Sequence, residues 1–234
     1  MFERVRRDLQ RYFTIESRTG APTLGEKLKI LVESHGLQAV FVYRFGAWID
    51  RSVSTPVLKL PLKAIYLSLH EAMIAVWGIY IHGNADIAGG LFIPHPNGVM
   101  IGAVKMGEDC CVSQNATIGV RPGARFDEAP VLGDRVWIGP GAVLFGRVKI
   151  AEGAAIGALT VVGRNLPPRC LAFGNPMQVK RNFDNTSLLY GERPPTASAV
   201  PVAKTASGSG ESAGDLTGDG VAALRRASAG GTPR

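Results

Sequence analysis

From Ile81 onward, aliphatic residues recur every six positions: Ile81, Ile87, Ile93 and Val99. After a one-residue slip the run resumes at Met106, Val112 and Ile118. It resumes again at Leu132 and holds through Ile138, Leu144, Ile150, Ile156 and Val162. Neither the helical period of about 3.6 residues nor the two-residue alternation of a strand generates sixes. A three-sided coil does, with a short strand on each side, a turn at each corner and one aliphatic side chain per side pointing inward. Glycine often follows the aliphatic residue, as in Ile118-Gly119, Ile138-Gly139 and Ile156-Gly157. That placement suits a tight corner, where glycine adopts positive φ without steric cost. Thirteen hexads make roughly four coils of three, stacked as a parallel β-helix.

The flanks are composed differently. Residues 1–80 read as a helical domain, 81–180 as the β-helix and 181–234 as a C-terminal extension. Phe2, Val5, Leu9 and Phe13 fall at helical spacing, with Arg4, Arg7 and Arg11 on other faces. Leu28, Leu31 and Val32, then Leu37, Val40, Phe41, Arg44, Phe45 and Trp48, predict two more helices split by a stop at His35-Gly36. The apolar stretch from Val57 to Tyr80 has the length of a membrane span, but Lys59, Pro61, Lys63, His70 and Glu71 interrupt it. A buried or interfacial amphipathic helix is expected there. From Thr196 to Arg234 the chain is Ala, Ser, Gly, Thr and Pro with few large apolar side chains, so disorder is expected.

Charge and cysteine usage exclude several classes. There are 26 Lys+Arg against 19 Asp+Glu, but the arginines are scattered and no aromatic-interleaved basic motif appears, so nucleic acid is not an expected partner. Cys110, Cys111 and Cys170 are odd in number and lack C-x-x-C spacing. No disulfide framework or metal site is expected, and a reducing cytoplasm fits. Met1 to Asp8 leads into charge rather than an apolar run, so no signal peptide is read.

Several segments carry a resemblance: Ile101-Gly102, Ile118-Gly119-Val120, the run from Val131 to Ala142, and Pro167-Pro168 through Phe173-Gly174-Asn175-Pro176. They resemble the hexapeptide-repeat acyltransferases, in the branch of the serine O-acetyltransferases and related polysaccharide-cluster acetyltransferases. His35-Gly36-Leu37-Gln38-Ala39 and Tyr43-Arg44-Phe45-Gly46-Ala47-Trp48 resemble that branch too, so the likeness runs from about Leu24 to Val179. It implies a left-handed β-helix, an exception to the usual right-handed crossover. It also implies a homotrimer whose active sites lie between neighbouring coils, and acetyl-CoA as acyl donor.

Acetyl transfer to a hydroxyl needs a base for the hydroxyl proton and donors for the tetrahedral oxyanion. Histidine suits the first role near neutrality. His35 and His70 fall in predicted helices, and His82 opens the first coil. His95 sits in Phe92-Ile93-Pro94-His95-Pro96-Asn97-Gly98-Val99, where the repeat loosens between two prolines. The resemblance makes His95 the general base, with three departures. Pro94 stands where the family has Asp, and Tyr80 where it has the base's partner carboxylate. Glu128-Ala129, ahead of Pro130, replaces an Arg-His pair. Those groups orient the base and grip serine's ammonium and carboxylate. The expected acceptor is therefore a sugar hydroxyl in polysaccharide biosynthesis. A serine O-acetyltransferase and a non-catalytic β-helix scaffold are the alternatives.

Ile118 to Leu132 spans fourteen residues, eight more than a hexad, so a loop leaves the coil there. Its Arg121, Arg125, Asp127 and Glu128 are candidates for binding a glycan or small-molecule acceptor. For the donor, Gly119, Gly139, Ala142 and Ala158 are small enough to admit a pantetheine arm. Arg164, Lys180 and Arg181 would meet the CoA phosphates. With a lipid-linked acceptor, the basic first helix and the Val57–Tyr80 stretch would hold the protein peripherally at the inner membrane face.

Overall fold

The computed structural model describes residues 1–17, 22–120, 123, 125 and 128–190. Strands appear where the sixes put them, and they visit three sheets in rotation. The first sheet holds β1 (Ile79–Ile81), β3 (Val99–Ile101), β6 (Thr117–Gly119), β9 (Val143–Phe145) and β12 (Val161–Val162). The second holds β2 (Asp86–Ile87), β4 (Lys105–Met106), β7 (Val131–Leu132) and β10 (Lys149–Ile150). The third holds β5 (Cys111–Val112), β8 (Trp137–Ile138), β11 (Ala155–Ile156) and β13 (Cys170–Phe173), and Phe92 bridges to Cys111 at its start. These pairings are parallel. The exception is β14 (Gln178–Arg181), which pairs antiparallel with β13 at the end of the third sheet. The five strands of the first sheet make five turns of coil, one more than the hexad count suggests.

The inward side chains stack coil upon coil. Ile81, Ile101, Ile118, Leu144 and Val162 line one side, and Ile87, Met106, Leu132 and Ile150 the next. Val112, Ile138, Ile156 and Ala172 line the third, and every one is buried. A fully buried aliphatic side chain contributes about 1.5–3 kcal/mol, so these columns are a main source of the coil's stability.

The register differs from the expected one at a single place. Ile81 pairs with Ile101, and Ile101 with Ile118. The stack therefore steps from Ile93 to Ile101, eight positions, and then from Ile101 to Met106, five positions. The one-residue slip is really an insertion of two residues followed by a corner shortened by one. Val99 misleads the eye because β3 buries both Val99 and Ile101.

Four helices precede the coil: α1 (Phe2–Glu16), α2 (Leu24–Glu33), α3 (His35–Ser52) and α4 (Pro56–Trp77). Thr23 and Glu26 form a capping box that starts α2. His35-Gly36 opens α3 rather than stopping a helix, and the break between α2 and α3 is the single residue Ser34. Gly36 lies where a Cβ would collide with the Ile93 carbonyl, so α3 rests directly on the first coil. The inner face of α1 is also unlike the expected one. Asp8, Arg11 and Tyr12 are buried and Phe2 is exposed. The reason is local: the first coil presents carbonyls and carboxylates that need donors. Arg4 pairs with Asp86 at 2.9 Å and Arg7 with Asp109 at 2.6 Å. Arg4, Arg7 and Arg11 are thus engaged by the coil rather than left for a membrane. The short helix α5 (Thr186–Tyr190) returns over the third sheet, where Leu189 packs with Tyr12, Phe92 and Cys111. The expected disorder from Thr196 falls outside the described residues.

Candidate active site

The two inserted residues fall on the corner between the third and first sheets, in the first coil, and one of them is His95. In the coil below, Ser113 to Ala116 fill the same corner without insertion, and the ladder amide of Asn115 donates to Asn97 O at 2.9 Å. Pro94 and Pro96 fix their own φ, and Pro96 restricts His95 to extended backbone. The chain then turns back through Asn97 (φ 100°) and Gly98 (φ 67°). Gly98 is required twice over, by its φ and because a Cβ there would collide with the Asn115 side chain. His95 is left exposed on a stiff projection, and no described residue bonds to its ring.

The other three histidines are packed. His35 stacks on Trp77 at 3.5 Å between ring centroids. His70 lies between Tyr66 and Tyr80, at 5.6 and 5.5 Å, with Nε2 3.3 Å from Ile81 O. His82 Nδ1 accepts from the Asn84 amide at 3.1 Å.

Behind the His95 corner, α1 and α3 hold the preceding strand segment by polar contacts. The Asp8 carboxylate accepts from the amides of Gly90 (2.7 Å) and Leu91 (3.1 Å) and from Arg44 Nε (2.9 Å). Burial raises that carboxyl above its usual range, against the opposing pull of Arg44 and the two amides. Arg44 also donates to Ile87 O and Ala88 O, each at 2.6 Å. Arg11 donates to Gly90 O at 2.6 Å. The Tyr12 hydroxyl accepts from the Ile93 amide at 2.9 Å, two residues before His95, and burial pushes its phenol well up, keeping it protonated. Apolar periodicity does not find this clasp. The signal present in the sequence is the polar set Asp8, Arg11 and Tyr12 on one helical face.

The remaining candidates divide over two corners. Gly139, Ala142 and Ala158 lie on the same corner as His95, in later coils. Ala158 is exposed. Ala142 is wholly buried, and its amide and carbonyl are both engaged, with Gly139 and Thr117, so it offers a ligand nothing. The Gly139 amide likewise donates to Ile156 O. Gly119 and Arg164 lie on the next corner, between the first and second sheets, where a Cβ at Gly119 would meet open space. Lys180 is exposed on β14. Arg125 and Glu128 belong to the loop on that second corner, tied by the Glu128 amide to Arg125 O at 3.0 Å. Arg121 and Asp127 lie outside the described residues. His95 and the loop thus flank the first sheet from opposite edges. Between them the outward column of that sheet is Tyr80, Met100, Thr117, Val143 and Val161.

Cys110 and Cys111 are core residues, and burial pushes each thiol up to about 12, so neither is a nucleophile. Among the described residues no group of His, Cys, Asp and Glu is arranged to hold a metal.

No protein-family profile matches the chain. Serine acetyltransferase of Synechococcus elongatus is 31% identical over 159 residues, 68% of this chain and 62% of that protein. The chain therefore spans less than two thirds of that relative's length. Serine acetyltransferase of Helicobacter pylori is 30% identical over 155 residues, 66% of this chain and 86% of that protein. Among solved structures, soybean serine acetyltransferase complexed with serine superposes with a TM-score of 0.63 at 28% identity, covering 76% of this chain and 68% of that one. These relatives overturn the expectation of a sugar hydroxyl as acceptor. That expectation weighed three substituted positions above a likeness extending over most of the chain. The chain belongs to the serine acetyltransferase family.

Proposed function

We propose that the protein transfers the acetyl group of acetyl-CoA to the hydroxyl of serine, with His95 as general base. His95 takes the hydroxyl proton as the oxygen attacks the thioester carbonyl. The C–O bond forms, the C–S bond breaks, and the proton passes on to the departing thiolate. A positioned base of this kind is worth roughly 100- to 10,000-fold in rate. The observation that carries the reading is the two-residue insertion, which presents one exposed histidine on a proline-braced corner of an otherwise regular coil. Pro94 and Tyr80 leave the base without the family's carboxylate. The two prolines direct the backbone in its place.

A serine zwitterion needs an anion for its ammonium and a cation for its carboxylate. Glu128 and Arg125 are assigned these roles, with Arg121 beside them in sequence. Because His95 and this loop flank the first sheet from opposite edges, the complete site forms between copies. The apolar column from Tyr80 to Val161 suits that contact, in a trimer of left-handed coils. The donor lies along the His95 corner past Gly139 and Ala158. Arg164 and Lys180 are held to be the phosphate contacts.

The test is thiol release from acetyl-CoA by the purified protein with and without L-serine, with O-acetylserine followed by mass spectrometry. Serine-dependent release and product are expected. Release that ignores serine, or none at all, would overturn the proposal. In the second case a non-catalytic scaffold, which Tyr80 and Pro94 also favour, takes its place.

A further inference from the structure

Gln114 lies one coil below His95 on the same corner. Phe92 pairs with Cys111, and the Asn115 amide donates to Asn97 O at 2.9 Å. Ser113 and Gln114 therefore stand opposite four residues of the first coil, Pro94 to Asn97, and the inserted His95–Pro96 pair bulges over them. On the next rung the Gly141 amide donates to Gln114 O at 3.0 Å, so the residue beneath Gln114 is Pro140. Gln114 is half-buried there, and its side-chain Oε1 is wholly buried with no hydrogen-bond partner among the described residues. An unpaired buried carbonyl is destabilising and calls for an explanation. The coil itself does not require a polar side chain at this corner. Later coils carry Pro140 and then Ala158 at the equivalent position, where the Leu159 amide donates to Pro140 O at 2.9 Å.

We propose that Gln114 is a positioning residue for His95, its Oε1 accepting the ring N–H that the base does not use. The inference rests on the reading of His95 as the base. A neutral imidazole carries one N–H, and the bond made there decides which nitrogen keeps its lone pair for the substrate. Pro94 and Tyr80 supply no carboxylate for that bond. Gln114 supplies a neutral acceptor, across a gap of about 4.8 Å between neighbouring coils. In the structure the His95 ring is exposed and unbonded. With its backbone braced by the two prolines, rotation about the side-chain torsions turns the ring down onto the coil below. Catalytic hydrogen bonds of this kind commonly close only when substrates are bound. The other titratable groups around the corner are engaged elsewhere. From α1, the Tyr12 hydroxyl accepts from the Ile93 amide. From α3, the His35 ring lies on Trp77 of α4, and from β1, the Tyr80 ring faces His70 and His82.

The experiment is serine-dependent thiol release by Gln114→Met and Gln114→Glu across a range of pH, beside their melting temperatures. Gln114→Met keeps the length of the side chain and removes its polar groups. It is expected to lower kcat roughly tenfold, part of what a positioned base supplies, with little change in either KM. It should melt no lower than wild type, because an unpaired buried acceptor has gone. Gln114→Glu is expected to turn over faster than Gln114→Met. Its acid limb of kcat/KM should move to higher pH, because a carboxylate favours the protonated ring. Gln114→Asn, which withdraws the oxygen by one carbon, repeats the first test should Gln114→Met fail to fold. Wild-type kcat in Gln114→Met overturns the assignment, as does a loss of activity that tracks a fall in melting temperature. So does an unmoved acid limb in Gln114→Glu. A wild-type protein that releases no thiol with serine would overturn the reading of function and this assignment with it, whereas active wild type with unaffected variants removes the assignment alone.

Discussion

The first coil and the later coils are made from the same six-residue unit but are held by different forces. From Leu132 to Val162 each inner aliphatic sits over its counterpart, and the corners turn through Arg135, Gly141, Gly153 and Leu159 at positive φ. From outside those coils Asn185 Nδ2 donates to Arg135 O at 2.8 Å. The first coil carries the inserted His95–Pro96 pair, and its strand segment from Ile87 to Ile93 is tied to α1 and α3 by Asp8, Arg11, Tyr12 and Arg44. Its ladder to the second coil is intact, and hydrogen bonds from α1 and α3 satisfy the amides and carbonyls on its other edge, which no coil covers. The proposed base lies in that irregular first coil.

This contrast can be broken by substitution. Asp8→Ala leaves Arg44 buried without its carboxylate, and loss of one partner from such a pair costs about 3–5 kcal/mol. Urea unfolding should show that loss, and a cost near that of a surface substitution would remove the clasp from the account. Leu144→Ala cuts the inner column and should cost about 2–5 kcal/mol, yet leave turnover per folded molecule unchanged. Tyr12→Phe strands the buried Ile93 amide for about 1–3 kcal/mol. Although cheaper, it should lower kcat with little change in KM, because it loosens the segment leading to His95. If Leu144→Ala damages turnover more than Tyr12→Phe does, the division between supporting and functional coils is wrong.

The smallest effect concerns pH. The hydrogen bond from Arg4, and the charges of Arg4 and Arg51, hold the Asp86 carboxyl below its usual range. A lowered folded-state value stabilises the protein at neutral pH, and the stabilisation is lost as the pH falls through the carboxylate range. The pair is half exposed, so Asp86→Asn should cost under about 1 kcal/mol at pH 7, and progressively less as the pH falls through the lowered carboxyl value. Thermal melts across that range check the sign.

Legibility in the sequence followed the same division. The later coils could be read because one aliphatic residue marks every turn of the backbone. His95 stood out because two prolines bracket it where the sixes fail. The register at the break was hidden, since Val99 and Ile101 are both apolar and both inward. The inner face of α1 was hidden because Asp8, Arg11 and Tyr12 are polar, and periodicity arguments count apolar residues. In α4 apolar residues lie on both sides, Leu62, Met73, Ile74 and Trp77 half-buried and Val57, Leu60, Ile65 and Val76 exposed, so apolar periodicity did not tell its faces apart. The acceptor was missed for a chemical reason: Pro94, Tyr80 and Ala129 remove known contacts, but absent contacts do not specify a replacement substrate.

The most direct test of the central claim is kcat for serine-dependent thiol release by His95→Ala beside its melting temperature. A fall of roughly 100- to 10,000-fold with an unchanged melting temperature is predicted, since an exposed side chain on a braced corner carries chemistry and no packing. Turnover equal to wild type would contradict the assignment of the irregular first coil as the seat of catalysis.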